Sequence, residues 1–529
     1  MSNTALKLDT LNPEVANYIN KLETKIFELK DYQHKYYDYQ SKYLALKEQY
    51  DLLIYQKFYR SSEKLQAEDL EPPLFAEEPE QAPEPELEKG KQEIKSYTRK
   101  KPGRKPIDAA IPRVEEIIDI PEEEKVCACG AQMTKIGEET SEKLEIIPQS
   151  IFVKKTIRPK YACRCCEGTA DEDVPAVRIA PVPPAIIPRS IASASLLSCI
   201  MIQKYQDHLP FYRQEVQFQR IGTDISRQDM SNWQQQVYEK LIPLFSLMHD
   251  VIKTGPVMWM DETTVLVMGE DNREDTQKSY MWLARGGPPD KTVVYYKYHP
   301  TRNSEHVIDF LEGYKGFLQT DGYAGYDAAV KNLPGIVHVG CFAHARRKFF
   351  EAAKPPNKPR SAEEGIKHIR KLYEIENRLR DELKKEIKSE SEFLDARKKQ
   401  TEPVLAEFHK WLNKRANEVL SSALLGKAVA YTLKEWPKLI RYLESPYLTP
   451  DNNASENAIR PFVLGRKNWL FNKSPRGAES SCGMYSLIET AKQNGIEPLA
   501  YLRTIFEKVP HAVSAEDWEK LLPWNIFKA

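Results

Sequence analysis

From residue 256 to residue 345 the chain changes periodicity in a fixed order, and that order restricts its fold severely. "PVMWMDETTVLVMG", "KSYMWLARG" and "KTVVYYKYH" read as strands, rich in β-branched and aromatic residues and separated by the turn-prone segments "EDNREDTQ" and "GPPD". Three strands joined by short loops are antiparallel. "EHVIDFLEGY" then has helical periodicity, "GFLQTDGYAGYD" reads as a fourth strand, "AAVKNL" as a short helix and "GIVHVGCFAH" as a fifth strand. A helix between the third and fourth strands implies a crossover to a parallel neighbour, so the expected sheet is mixed.

Asp261 falls in the middle of the first strand, behind Val257, Met258, Trp259 and Met260, and Asp321 at the end of the fourth. A carboxylate in so apolar a strand needs a partner or a metal to offset its desolvation. Two on adjacent strands repel unless a divalent cation bridges them, and Mg²⁺ or Mn²⁺ is the oxygen-liganded ion that fits. Two such ions about 3.5 to 4 Å apart activate an attacking oxygen and stabilise a leaving one in phosphoryl transfer. Far downstream, "DNNASENAIRPFVLGRKNW" offers Glu456 as a third carboxylate. Asn453 followed three residues later by Glu456 is also a capping-box arrangement, so the alternative is that Glu456 caps a helix. Arg460, Arg466, Lys467 and Trp469 suit phosphate contact and base stacking, and Pro461 is expected to end or kink the helix. Arg346 and Arg347 are further expected phosphate contacts, and His344 before them is expected in a non-ligand role.

With 529 residues the chain is too long for one ordinary core, and its 77 basic and 77 acidic residues cancel, so a polyanionic partner must be met by local patches. Ile19, Leu22, Ile26, Leu29, Tyr32, Tyr36, Tyr39, Tyr43, Leu46, Tyr50 and Leu53 alternate in steps of three and four with one slip. This is the seam of a coiled coil, expected as an oligomerisation arm over 14–60, or of a lone amphipathic helix docked on its own chain. Residues 61–110 are expected as a disordered linker, first acidic and then basic. Its end, "KSYTRKKPGRKP", places Arg104 and Lys105 either in a minor-groove arm or in a solvated tract. "VCACG" and "YACRCCEG" flank a segment whose β-branched residues suggest a hairpin; Cys127, Cys129, Cys163 and Cys166 are the expected Zn²⁺ ligands, with Cys165 as a substitute for Cys166, and structural thiols without metal are the alternative, since Cys-x-Cys is tighter than the usual knuckle. Their module spans 111–185. Residues 186–250 have helix-turn-helix syntax around "RIGTDIS", with Asp224 or Ser226 as N-cap and Arg227, Gln228, Ser231 and Asn232 at the start of the second helix, facing a DNA groove or nothing. The charged segment 351–448 is expected as a helical insertion, either covering DNA near the site or a solvated helical hairpin, within a catalytic region 251–480, followed by a helical segment 481–529.

"WMDET", "QTDGYAGYD", "GCFAHARRKF" and "DNNASENAIRPFVLGRKNWLF", in that order, resemble the insertion-sequence-66 family of bacterial DDE transposases. The resemblance extends over residues 100–529 and implies a multidomain α+β protein: a ribonuclease-H-like core, with its five-stranded mixed sheet, a helical insertion, an N-terminal coiled coil and a small cysteine-rich zinc module. It further implies that Asp261, Asp321 and Glu456 are the catalytic metal-binding triad, that element ends and target DNA are the substrates, and that small accessory proteins are partners. The alternatives are an inert DNA-binding regulator and a metal-dependent nuclease that cuts without joining. "MSNTALKLDTLNPEV" lacks a basic start followed by an apolar core and no apolar run is long enough to span a bilayer, so a cytoplasmic, nucleoid-associated homodimer or higher oligomer is expected.

Overall fold

The computed structural model describes residues 13–58, 151–162, 177–354 and 360–527. It divides into two compact units, Met1–Leu70 with Thr156–Ala529, and Glu71–Lys155. Cys127, Cys129, Cys163, Cys165, Cys166, Arg104 and Lys105 lie outside the described residues, as does the expected linker.

The heptad stretch forms one helix, α1 (Pro13–Phe58). Its seam side chains face solvent in the single chain, from Leu22 at 44% exposure to Tyr39 at 69%. Near its C-terminal end Ala45 is buried and Glu48 Oε2 accepts from Leu424 N at 3.1 Å. The hairpin expected between the cysteine clusters is not formed over 151–159, which has no regular structure; β1 (Lys160–Ala162) pairs instead with β2 (Val177–Ile179), beyond the second cluster. Pro159 removes a ladder donor immediately before β1, and β-branched residues without a facing partner do not make a strand.

Four helices follow: α2 (Ala194–Tyr205), α3 (Phe211–Arg220), α4 (Arg227–Lys240) and α5 (Ile242–Ile252). The turn between α3 and α4 uses Gly222 at φ +82°, and Ser226 is the N-cap, its Oγ accepting from Asp229 N at 3.1 Å. Met230, Trp233 and Val237 bury one face of α4, which leaves Arg227 and Gln228 exposed.

The sheet follows the expected order. β3 (Val257–Val267), β4 (Lys278–Gly286) and β5 (Val293–His299) are antiparallel; after α6 (Ser304–Leu311), β6 (Gly316–Gln319) lies parallel to β3, and after α7 (Ala324–Lys331), β7 (Ile336–Val339) lies parallel to β6. The spatial order is β5-β4-β3-β6-β7, and a sixth strand not foreseen, β8 (Phe471–Asn472), pairs parallel with the far end of β3. Two residues are too few to carry a periodic signal.

Beyond β7 come α8 (Phe342–Ala353), α9 (Arg360–Lys384), α10 (Glu390–Glu418) and α11 (Leu424–Leu439). They are no solvated hairpin: Phe349, Ile369, Leu372, Phe408, Leu412 and Val429 give them a core of their own. The chain then returns to the sheet as α12 (Asn453–Trp469), α13 (Pro475–Gln493) and α14 (Pro498–Lys508). Small residues let α13 lie buried against β5, where Thr490 Oγ1 accepts from Val294 N at 3.0 Å and Ser486 Oγ from Tyr296 N at 2.9 Å. Those hydroxyls occupy the backbone donors that an edge strand otherwise exposes.

Candidate active site

Register brings two carboxylates together. Trp259 pairs with Gln319 across β3 and β6, and Trp259 Nε1 donates to Gln319 Oε1 at 2.9 Å, so these side chains share a face. Asp261 and Asp321 each lie two residues further along, one side-chain period on. Asp321 closes an Asx turn, its Oδ1 accepting from Tyr323 N at 3.0 Å. Burial holds the Asp261 carboxyl well above the usual carboxylate range, and the negative charges of Glu262, Asp321 and Glu456 push it further.

The third carboxylate arrives through a gap in the sheet. On the edge of β3 that faces β6 and β8, no described strand pairs between Trp259 and Leu266, and α12 fills the space. Asn452 Nδ2 donates to Met260 O at 3.0 Å, and Arg466 Nη1 donates to Thr264 O and, at 3.1 Å, to Thr263 Oγ1. The two ends of the helix are thereby tied to carbonyls that a neighbouring strand would otherwise have taken. The lead-in is fixed as well: Gln319 Nε2 donates to Thr449 O at 2.7 Å and Phe342 N to Pro450 O at 2.8 Å.

Glu456 is not a helix cap. The cap position belongs to Asn452, without a side-chain bond, so Asn453 is the first helical residue and Glu456 the fourth. Nor does Pro461 end the helix, which continues to Trp469 because Phe462 and Gly465 are buried beneath it. Glu456 is 4% exposed, and neither of its oxygens accepts a hydrogen bond. His344 Nδ1 stands 3.8 Å from one and Arg347 Nη2 3.7 Å from the other, both too far for one. Burial pushes the Glu456 pKa up to about 7; Arg347 opposes this, while Asp451 and Asp321 add to it. His344, expected outside any ligand role, lies within the site as a neutral imidazole, its pKa lowered to about 4 by burial and by Arg347.

Glu262 is the neighbour that sequence reading passed over. Its side chain is 3% exposed and fully engaged: it accepts from Arg302 Nε at 2.7 Å and from Tyr326 Oη at 2.5 Å. Arg302 in turn stacks on Tyr323, 3.6 Å from the ring centroid, next to the Asp321 turn. The adjacent acid in "WMDET" was the available signal, because two buried carboxylates in succession need different solutions.

Of the expected DNA contacts, Arg460 and Lys467 are exposed on α12, Arg227 and Gln228 at the start of α4. Arg346 stacks on Phe350 at 4.9 Å, Arg466 is engaged by β3, and Trp469 packs against Tyr205 and Tyr485.

Three acidic side chains are thus gathered around one end of a mixed sheet, donors of the type that can hold divalent cations. The family model described as "Transposase IS66 family" matches residues 189–480, which includes all three carboxylates. The chain belongs to the IS66 transposase family. Further models of the same family match the "IS66 C-terminal element" over 486–524, the "zinc-finger binding domain of transposase IS66" over 124–167, and "Transposase C of IS166 homeodomain" over 45–115. Three uncharacterized proteins of Sinorhizobium fredii (strain NBRC 101917 / NGR234) are similar along most of their length. The y4hP protein is 32% identical over 82% of this chain and 78% of its own, and y4jD 30% identical over 78% and 80%. The y4qI protein is 30% identical over 83% and 82%. The sheet and its flanking helices are thus the ribonuclease-H-like core of an IS66 transposase, a DDE-type polynucleotidyl transferase that binds element ends and cleaves and joins DNA. The zinc-module match contains all five clustered cysteines. Among the described residues no helix is long and apolar enough to cross a membrane.

Proposed function

We propose that Asp261, Asp321 and Glu456 are the catalytic carboxylates of this transposase and that they hold Mg²⁺ or Mn²⁺. The observation that carries this is Glu456, buried with two oxygens that no protein donor satisfies, beside two further acids whose mutual repulsion a divalent ion relieves. Oxygen-only donors suit a hard cation. When bound, such an ion polarises phosphate oxygens and favours the deprotonated form of an attacking hydroxyl.

The chain's own contribution is rigidity and placement. Asp261 sits on the central strand, Asp321 in a turn closed by Tyr323, and Glu456 on a helix tied to β3 at both ends. Water attacks the phosphodiester at the element end, and the 3′-hydroxyl released then attacks target DNA in the same site. Arg227, Gln228, Arg346, Arg460 and Lys467 are the proposed DNA contacts, and Cys127, Cys129, Cys163 and Cys166 the ligands of a structural Zn²⁺. The exposed seam of α1 supports self-association as a dimer or larger assembly, because a run of apolar and tyrosyl side chains this long is costly to leave in water. Replacing Tyr36 and Tyr43 by Asp should halve the mass measured by light scattering; an unchanged mass counts against it.

Labelled element ends and a target plasmid, with small accessory proteins of the same element supplied, test the catalytic assignment. Joining should need Mg²⁺, stop in EDTA and be lost in Glu456→Gln while end binding persists. Cutting without joining by the wild type would make it a nuclease, and normal joining by the mutant would remove Glu456 from the triad.

A further inference from the structure

Beside the triad lies a group of donors of a different kind. One ligand atom each from Cys341, His344 and Glu456 lies within 4.8 Å of the others. Cys341 and Glu456 are buried, at 2% and 4% exposure, and His344 is largely so. Two helix starts bring them together. Cys341 holds the N-cap position of α8 and His344 follows three residues later on the same side, while Glu456 comes from the first turns of α12. The starts are joined by the bonds from Phe342 N to Pro450 O and, at 3.2 Å, from Asn452 N to Cys341 Sγ.

Much of the polar capacity of this cluster is unused. His344 Nδ1 and both Glu456 oxygens have no hydrogen-bond partner, and Cys341 Sγ accepts from the backbone N–H groups of Asn452 and His344 alone. Three buried groups in this state are costly unless something satisfies them together. Protons alone serve poorly: they would leave the imidazole and the thiol with no stronger contact than they have now. A cation satisfies all three, and the donor set says which kind. Sulfur and imidazole are poor ligands for Mg²⁺ but good ones for Zn²⁺, which is commonly held by three protein side chains with a fourth position open. Burial and the charges of Asp451 and Glu456 hold the Cys341 thiol well above its ordinary range, against the N–H groups of Asn452 and His344 that favour the thiolate, so a metal has to displace the proton.

We propose that Cys341, His344 and Glu456 form a second metal site, selective for Zn²⁺ or an ion of similar softness, that shares Glu456 with the acidic triad. Binding releases the Cys341 thiol proton to solvent and replaces it with the metal–sulfur bond. Because one carboxylate serves both sites, zinc here withdraws Glu456 from Mg²⁺, and the transposase is held inactive until zinc leaves. The zinc site rests on the placement of Glu456 and its effect on joining on the proposed triad, and zinc content can be counted without DNA.

Full-length protein stripped with chelator, reloaded with Zn²⁺ and dialysed should carry one equivalent more than Cys341→Ser or His344→Ala treated alike; zinc held by the cysteine module is common to all three. Loss of even an outer-shell partner weakens metal sites about 10- to 100-fold, so loss of either ligand should weaken this equivalent by about 100-fold or more. In the wild type, excess Mg²⁺ should lower the affinity for this equivalent and no other. Equal zinc content in the wild type and in either variant with native circular dichroism overturns the proposal. The largely buried thiol is the riskier substitution, so His344→Ala decides if Cys341→Ser does not fold. Should neither fold, the wild-type titration decides: a zinc equivalent in competition with Mg²⁺ sustains the site, and none in competition removes it.

Discussion

Glu376 and Glu456 are both glutamates on helices, at 3% and 4% exposure, yet the protein treats them in opposite ways. Glu376 Oε1 accepts from Arg397 Nη2 and from Arg380 Nε, each at 2.7 Å. Arg397, itself fully buried, also donates to the carbonyls of Tyr442, Ser445 and Leu448, and Arg380 to those of Pro446 and Leu448. The insertion thus clamps the segment that leads into α12. Glu456, at the end of that lead-in, receives no hydrogen bond. One buried carboxylate anchors because its partners are supplied; the other accepts no hydrogen bond, and the first helps to hold the second in place.

The largest expected effect is on the anchor. Arg397→Ala strands Glu376 and leaves three carbonyls without this donor, which should cost about 3–5 kcal/mol in urea denaturation. A loss below about 1 kcal/mol would mean that the clamp is ornamental and the contrast with Glu456 false.

Next comes the proposed catalytic acid. Glu456→Gln should lower joining by about 10²- to 10³-fold, in the range found for removing one preorganised electrostatic group. It should not lower the stability of the metal-free protein, since it removes a buried charge that accepts no hydrogen bond.

The same residue makes metal-free stability depend on pH. Its folded pKa of about 7 lies above its ordinary 4.5, so the folded state binds the proton more tightly. The stabilisation is complete below the ordinary value and is lost as pH rises through the folded one, by about 3 kcal/mol, with Asp261 acting in the same sense. Denaturation in EDTA across this range should show the fall, Mg²⁺ should reverse it, and Glu456→Gln should flatten its share. A metal-free protein that gains stability over that window would contradict the burial assigned to Glu456.

The smallest effect separates two neighbours in sequence. Glu262→Gln, which weakens the contacts with Arg302 and Tyr326, should cost about 1–3 kcal/mol, whereas Asp261→Asn should cost nothing in EDTA and abolish joining. Equal thermal shifts for the two would show that adjacent acids are not partnered as differently as their contacts indicate.

Much of this was legible in the chain. The strands, their directions and the helices between them follow from local periodicity and loop length. Asp261 and Asp321 stood out because a charge in an apolar strand is an anomaly that can be read one residue at a time. Glu456 was legible only with its motif, since its alternative as a helix cap uses the same residues; the cap fails because the helix starts one residue earlier than a capping box at Asn453 requires. Pro461 does not end the helix for a related reason: a missing backbone donor is a local cost of a few kcal/mol, and the burial of Phe462 and Gly465 outweighs it.

What the sequence determined by itself is therefore the order of the elements, the family, and which acids are out of place among apolar neighbours, because each is a property of short stretches. Tertiary structure alone decided which buried carboxylates have partners. Glu262 meets Arg302 and Tyr326 across 40 and 64 residues, Arg397 meets Glu376 across 21, and β8 fills the far end of a gap in which α12 presents Glu456. Hydrogen bonds are satisfied in space, between residues whose separation along the chain carries no pattern, and so the difference between an anchor and a proposed catalytic acid is visible only once the chain is folded.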